Sequence, residues 1–283
     1  MNKNVIKNRY DFIYLFDIKD GNPNGDPDQA NLPRVDAENQ EGLITDVCIK
    51  RKVRNYVQVK NELKPPYDIF IRQGNILGKI IDTVKKDQDK NVEKTQKKLT
   101  ESYYDIRTFG GVLSVGKEGG AGTIRGPVQF TFSRSEDRIY QVEHSITRLC
   151  VTTEEEAKKQ EKRENASTFG RKSTIPYALY RMNGFISAVD AAKSGFSEDD
   201  LNLLWEALVN AFEHDRAAAR GEMNPRKLIA FKHASHLGNA RSGELFERII
   251  VKKKNDLPRA FEHYEIIVNN ANLPNGIEIL ELL

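Results

Sequence analysis

The run YDFIYLFDI, Tyr10 to Ile18, constrains this chain more than any other stretch. In an extended chain successive side chains alternate between faces, so Phe12, Tyr14, Phe16 and Ile18 point one way and Ile13 and Leu15 the other. Both faces are apolar, and the strand is therefore expected at the centre of a sheet. After it comes KDGNPNGDPDQANLPRVDAENQEGL, about 25 residues without an apolar period. A connection of that length is either functional or disordered. Its Asn-Pro, Asn-Gly and Asp-Pro steps are turn formers and predict a loop folded on itself. A helix is predicted from Thr45, the capping residue, with Asp46 in its first turn. Ile49, Val53, Tyr56 and Val57 form its inward side, and Lys50, Arg51 and Arg54 a neighbouring cationic flank. That flank either neutralises an external anion or faces water with Asp46 pairing to Lys50.

The stretch GNPNGDPDQANLPRVDAENQEGLITDVCIKRKVRNYV, Gly21 to Val57, resembles the N-terminal signature of the CRISPR-associated backbone subunit of the type I-C Cascade complex. That family lies within the RNA-recognition-motif-like CRISPR proteins. RTFGGVL (107–113), RGPVQFTFSRS (125–135), TFGRKSTIPYALYR (168–181) and HASHLGNA (233–240) extend the resemblance over most of the chain. It implies copies stacked head to tail along one guide RNA (crRNA), presenting it for pairing with target DNA beside the other Cascade subunits. Sequence specificity then lies in base pairing, and the protein reads phosphate and sugar.

The remaining segments follow the strand, helix, strand, strand, helix, strand order of a ferredoxin-like fold. PPYDIFIR predicts a short strand around Asp68 to Ile71, and Ile76 to Val84 a helix. Lys85 to Lys98 is charged and reads as solvated helix end or loop. Leu99, Tyr103 and Ile106 give another helical stripe, stopped by Gly110 and Gly111. GKEGGAGTIRG (116–126) lacks the P-loop spacing. Its Lys117 and Arg125 flank glycines that either bring backbone N–H groups to RNA phosphates or form a plain flexible loop. VQFTF alternates Val128, Phe130 and Phe132 as a strand. From Arg134 to Ile175 the chain turns polar, and the family's thumb hairpin is expected there. Phe169 is its candidate wedge, with burial at the hairpin base as the rival reading, and Arg171 and Lys172 its phosphate contacts. Tyr177 to Ala188 reads as strand. FSEDDLNLLWEALVNAF is the clearest helix, capped by Ser197, stapled by Phe196 to Leu201, with Trp205 in its core stripe. Leu228–Ala234 and His263–Val268 supply later strands.

The expectation is an α+β fold: a ferredoxin-like (RRM-like) core in a single elaborated domain over 1–283. Insertions at about 72–126 and 134–176 form finger and thumb-like elements. The RNA-binding candidates are Lys50, Arg51, Arg54, Arg34, Asn22, Asn24, Lys117, Arg125, Phe169, Arg171 and Lys172. Asn22 and Asn24 serve either ribose and phosphate or the turn itself.

No cofactor, metal or catalytic residue is expected. Asp20 opens an EF-hand-like half, but its twelfth position is Asn31, where a bidentate Glu belongs. His233 and His236 lack a third ligand, and Cys48 and Cys150 have no C-x-x-C spacing. Related type III subunits cleave RNA with an Asp in the loop after the first strand, which makes Asp26, Asp28 and Asp36 the alternative, catalytic reading. A scaffold free of nucleic acid is a second alternative. The net charge of only +3 requires any RNA site to come from local clustering. No apolar run approaches a membrane span and no secretion signal opens the chain, so a cytoplasmic protein without a membrane partner is expected.

Overall fold

In the computed structural model, residues 4–114, 119–148, 150, 151, 153–161 and 168–283 are described. The strand Tyr10–Gly21 lies inside an eight-stranded sheet, antiparallel to Thr168–Ile186 on one side and to Glu222–His233 on the other. Beyond Thr168–Ile186 come Val128–Phe130 and Ser133–Arg138, two pieces of one broken strand, and then Glu41–Ile44. Ile277–Glu281 closes the opposite edge. Numbered by their place in the motif, the core strands run four, one, three, two, which is the ferredoxin-like order.

The two sides of the first strand sit in two separate cores. Phe12, Tyr14, Phe16 and Ile18 pack with Ile49, Val53 and Val57 of the helix Asp46–Asn61 and with Leu201, Leu204, Trp205 and Leu208 of the helix Glu198–Val209. Phe12 meets the Trp205 ring edge-on, with centroids 5.0 Å apart. It also lies over Gly184, where a Cβ would come within 2.0 Å of the ring, so the neighbouring strand has no side chain at that point. The helix Glu198–Val209 begins with a reciprocal capping box between Ser197 and Asp200.

Ile13 and Leu15 join Tyr177, Leu179, Ile229 and Phe231 on the opposite face. Leu245 and Phe246 of the short helix Ser242–Phe246, with Ile249 and Tyr264 of the hairpin Ile249–Lys253 and Tyr264–Val268, cover them. A bare RRM uses this sheet face to stack bases. Here it is inside the protein, so a nucleic-acid contact has to be built from loops and edges.

A third, smaller core of Phe70, Ile81, Leu99, Ile106, Leu113 and Ala121 is formed by the segment between the first helix and Val128–Phe130. Its helices are Leu77–Asp87, Val92–Ser102 and Tyr104–Phe109. The strand expected at Asp68–Ile71 does not form. Only an isolated bridge from Asp68 to Tyr103 is present, because the N–H groups of Phe70 and Ile71 bond the buried Asp105 carboxylate instead, at 2.8 and 3.0 Å. Buried ion pairs fasten this segment to the body. Arg107 grips Asp200 with two donors, at 2.7 and 2.9 Å, and also donates to the carbonyls of Pro66 and Thr100.

Residues Val142–Arg148 and the first part of Thr168–Ile186 form a two-stranded ribbon, in register from Val142 and Thr174 to Arg148 and Thr168. Glu143 to Thr147 are exposed, as are Gly170 and Arg171 opposite them.

Candidate nucleic-acid interface

The loop after the central strand is anchored residue by residue. Gly21 packs so closely that a Cβ would meet the Arg220 carbonyl oxygen at 2.0 Å, and the Asn22 N–H donates to Ala219 at 2.7 Å. Asn22 Nδ2 donates across the loop to the Asn31 carbonyl at 2.7 Å, and its Oδ1 is buried without a partner among the described residues. Asn24 Oδ1 accepts from both the backbone N–H and the hydroxyl of Thr45, at 2.9 and 3.0 Å. Thr45 holds the cap position, but its hydroxyl is spent on Asn24 and accepts nothing from the helix, which corrects the expected cap. Asp26 accepts from the Asp28 N–H and lies 3.6 Å from Arg34. Asp36 pairs with Arg134 at 2.9 Å, and that charge with the Glu38 N–H holds its carboxyl below the usual range. The loop is folded on itself, as its turn residues predict.

The cations of the helix Asp46–Asn61 divide. Arg51 is exposed and makes no hydrogen bond or ion pair among the described residues. Lys50 donates to Asp46 at 2.8 Å, the pairing named as the alternative above. Arg54 is buried, and its Nε donates to the fully buried Asp105 at 2.9 Å. The continuous cationic flank is therefore not formed. Its last member is drawn inward because Asp105, already accepting two backbone N–H groups, requires a counter-charge that water cannot supply.

Other cations gather around the loop in its place. Lys52, buried in the same helix, pairs with Asp215, which also receives Arg220 and, at 3.4 Å, Asn55 Nδ2. Burial alone would raise the Asp215 carboxyl, but Lys52 and Arg220 prevail and hold it low. Lys172 reaches from the ribbon to the Ala218 carbonyl at 2.5 Å. Arg216 is exposed, 3.2 Å from Glu213. The Cys48 thiol, 3.7 Å from the Pro23 carbonyl, marks the convergence: burial pushes it up, while Lys52, Arg220 and Arg51 all pull it down.

Thus Asn22, bonded to Ala219, Lys172, bonded to Ala218, and Arg51, which acts on Cys48 together with Lys52 and Arg220, share one corner of the molecule with the segment carrying Arg216 and Arg220, which sequence reasoning passed over. Lys50 turns away to the Phe109 ring, 5.6 Å off, while Asn24 is fixed to Thr45 and Arg34 lies beside Asp26. The available signal was HDRAAARG, two arginines four apart ahead of a glycine that enters a strand. Arg125 is elsewhere, on the strand Thr123–Arg125 and 3.3 Å from Asp190. Arg171 is exposed on the ribbon, 3.2 Å from Glu143. The backbone of Phe169 pairs with Thr147, but its side chain lies outside what the structure describes, and so does all of Lys117. Among the described residues no three His, Cys, Asp or Glu side chains are placed to hold a metal, and no helix is long and apolar enough to cross a membrane.

Comparison with known proteins returns one family profile, described as CRISPR-associated protein Cas7, matched over residues 8–269. A curated "CRISPR-associated protein Cas7" of Haloferax volcanii is 25% identical over 235 residues, covering 72% of this chain and 65% of that protein. The chain thus spans under two thirds of the length of this relative. A chain of the solved "CRISPR RNA-guided surveillance complex, pre-nicking" superposes with a TM-score of 0.50, covering 79% of this chain and 78% of the other. At 11% identity that likeness is one of fold.

Proposed function

The chain belongs to the Cas7 family of CRISPR-associated proteins, and on that premise we propose that it is the non-catalytic crRNA-binding backbone subunit of a type I-C surveillance complex. Copies assemble head to tail along the guide and offer its bases to target DNA, next to the other subunits of the complex. One interface repeated without ring closure gives a filament, whose length is then set by the guide and by capping partners. Segments 72–126 and 134–176 act as the finger and thumb-like insertions of the single domain.

The observation that carries this reading is the rigid loop Gly21–Ile44 with Arg51, Lys172, Arg216 and Arg220 around it. Backbone groups held in place and cation heads at the rim together suit a phosphate and ribose chain, which demands position and charge but no base readout. Arg125, Arg171 and Lys117 serve as peripheral contacts, and Phe169 as the wedge of the thumb. Lys50 contributes when RNA competes with Asp46 for its ammonium.

Each phosphate neutralised on a single strand contributes roughly −0.7 to the slope of log affinity against log salt. Arg51→Ala with Arg216→Ala is therefore expected to flatten that slope by about 1.4, read by fluorescence anisotropy on a single-stranded RNA. Binding with an unchanged slope would move the phosphate site away from this corner. The catalytic alternative rests on the loop aspartates, of which Asp26 and Asp36 already spend their carboxylates on Asp28, Arg34, Glu38 and Arg134. Complementary RNA that is cut by the native chain with magnesium, and spared by Asp28→Asn, would replace the structural reading.

A further inference from the structure

The alternation of Val128, Phe130 and Phe132 predicts three side chains on one buried face, and the third is not there. Val128–Phe130 pairs with Gly184–Ile186, and the ladder resumes only where Arg134 and Ser135 meet Arg181 and Tyr180. At the break, Phe132 turns outward and is 52% exposed. It forms one wall of an open cavity of about 470 Å³ whose other walls include Glu41, Thr131, Arg134, Glu136, Arg181 and Asn183. That volume falls in the range of small-ligand sites, roughly 300–1,000 Å³.

The polar lining is fixed in place and partly unused. The Arg181 guanidinium donates to the carbonyls of Ile249 and Phe246, at 3.0 and 2.6 Å. Arg134 is held by Asp36 and Glu41, at 2.9 and 3.2 Å. The Glu136 carboxylate makes no hydrogen bond or ion pair among the described residues, and Asn183 Oδ1 is buried without a partner. Burial raises the half-buried Glu136 carboxyl, although Arg181 pulls it down. Buried polar atoms are normally satisfied, so the idle Asn183 Oδ1, beside the half-buried Glu136 carboxylate, calls for a ligand that donates.

We propose that this cavity receives one unstacked base of a single-stranded nucleic acid, its face against Phe132 and its edge toward Glu136 and Asn183. Every base has a π-face, and each carries at least one N–H on its pairing edge, so an aromatic wall above acceptors takes any of the four. A guanidinium from a protein partner has the same flatness and donors and is the rival occupant that the test separates, since Glu41 and Glu136 balance Arg134 and Arg181 in the walls. The proposal rests on the nucleic-acid-binding reading above, since Asp36 and Glu41 tie the cavity to the far end of the same loop.

The test uses the full chain with single-stranded RNA and DNA of one sequence, each carrying a single 5-iodouracil for photocrosslinking, with peptide mapping and anisotropy in parallel. A crosslink in the peptide containing Phe132 is expected, and its presence on RNA, DNA or both tells guide from target. Phe132→Ala should weaken binding by about 5- to 150-fold with the salt slope unchanged, and Phe132→Trp should restore it. Because Phe132 is exposed, neither change should disturb folding. Crosslinks that map only elsewhere, with affinity indifferent to Phe132→Ala, would overturn the cavity and leave the nucleic-acid reading standing. No binding of either strand by the native chain would overturn that reading and the cavity with it. Self-association without nucleic acid that disappears in Phe132→Ala would assign the cavity to a protein and overturn the proposal.

Discussion

Arg51 and Arg54 are three residues apart on one helix, yet one faces solvent and the other is a buried ion-pair partner. Arg54→Ala strands Asp105 without its counter-charge and is expected to cost about 3–5 kcal/mol in urea unfolding. Arg51→Ala should fall within about 0.5 kcal/mol of the native chain, as exposed positions do. Helical periodicity places both arginines correctly around the axis, but it carries no information on what packs there. The deciding group, Asp105, is 51 residues away in sequence. Phe132 escapes prediction for a related reason, since alternation holds only while the strand is unbroken. Asp215 gives the pH dependence at this scale. Its carboxyl is held below the unfolded value of about 3.9, so it contributes stability above that pH, lost as pH falls through the lower folded value. Asp215→Asn should be less stable at neutral pH and show a flatter acid limb below about pH 4, followed by circular dichroism across a pH series.

Elements were legible where a strong local pattern met an ordinary environment. The two-faced strand at Tyr10, the helix after Thr45 and the helix after Ser197 all stand where their residues place them. At Ser197 the local chemistry is complete, because its Oγ accepts from the Asp200 N–H while the Asp200 side chain accepts from the Ser197 N–H. Ser197→Ala is expected to lose about 1 kcal/mol of stability, and somewhat more if Asp200 is then pulled off its pairing with Arg107. Elements were illegible where a side chain recruited backbone. Asp68–Ile71 has a strand's composition but gives its N–H groups to Asp105, and Thr45 gives its hydroxyl to Asn24. Such bonds form between segments far apart in the chain, which no window of sequence contains. The loop HASHLGNA is another case: His233 is buried, its Nε2 3.0 Å from Asp11 and its Nδ1 accepting from the Asn239 N–H. Its histidine is a structural clamp for the turn that follows.

For the molecule as a whole, the decisive fact is that both sides of the sheet are closed. Helices cover one face and the segment around Ser242–Val268 the other, so on the proposed function the RRM-like core is a frame and recognition falls to the loop, the ribbon and the sheet edge. A frame of this kind suits a subunit that must hold any guide sequence, since nothing in its rigid centre reads bases. The most direct test is light scattering of the nuclease-treated chain mixed with guide RNAs of two lengths, followed by a denaturing gel. A discrete mass that grows with guide length, with both RNAs intact, is expected. A mass independent of the RNA, or RNA cut during assembly, would contradict the proposed function.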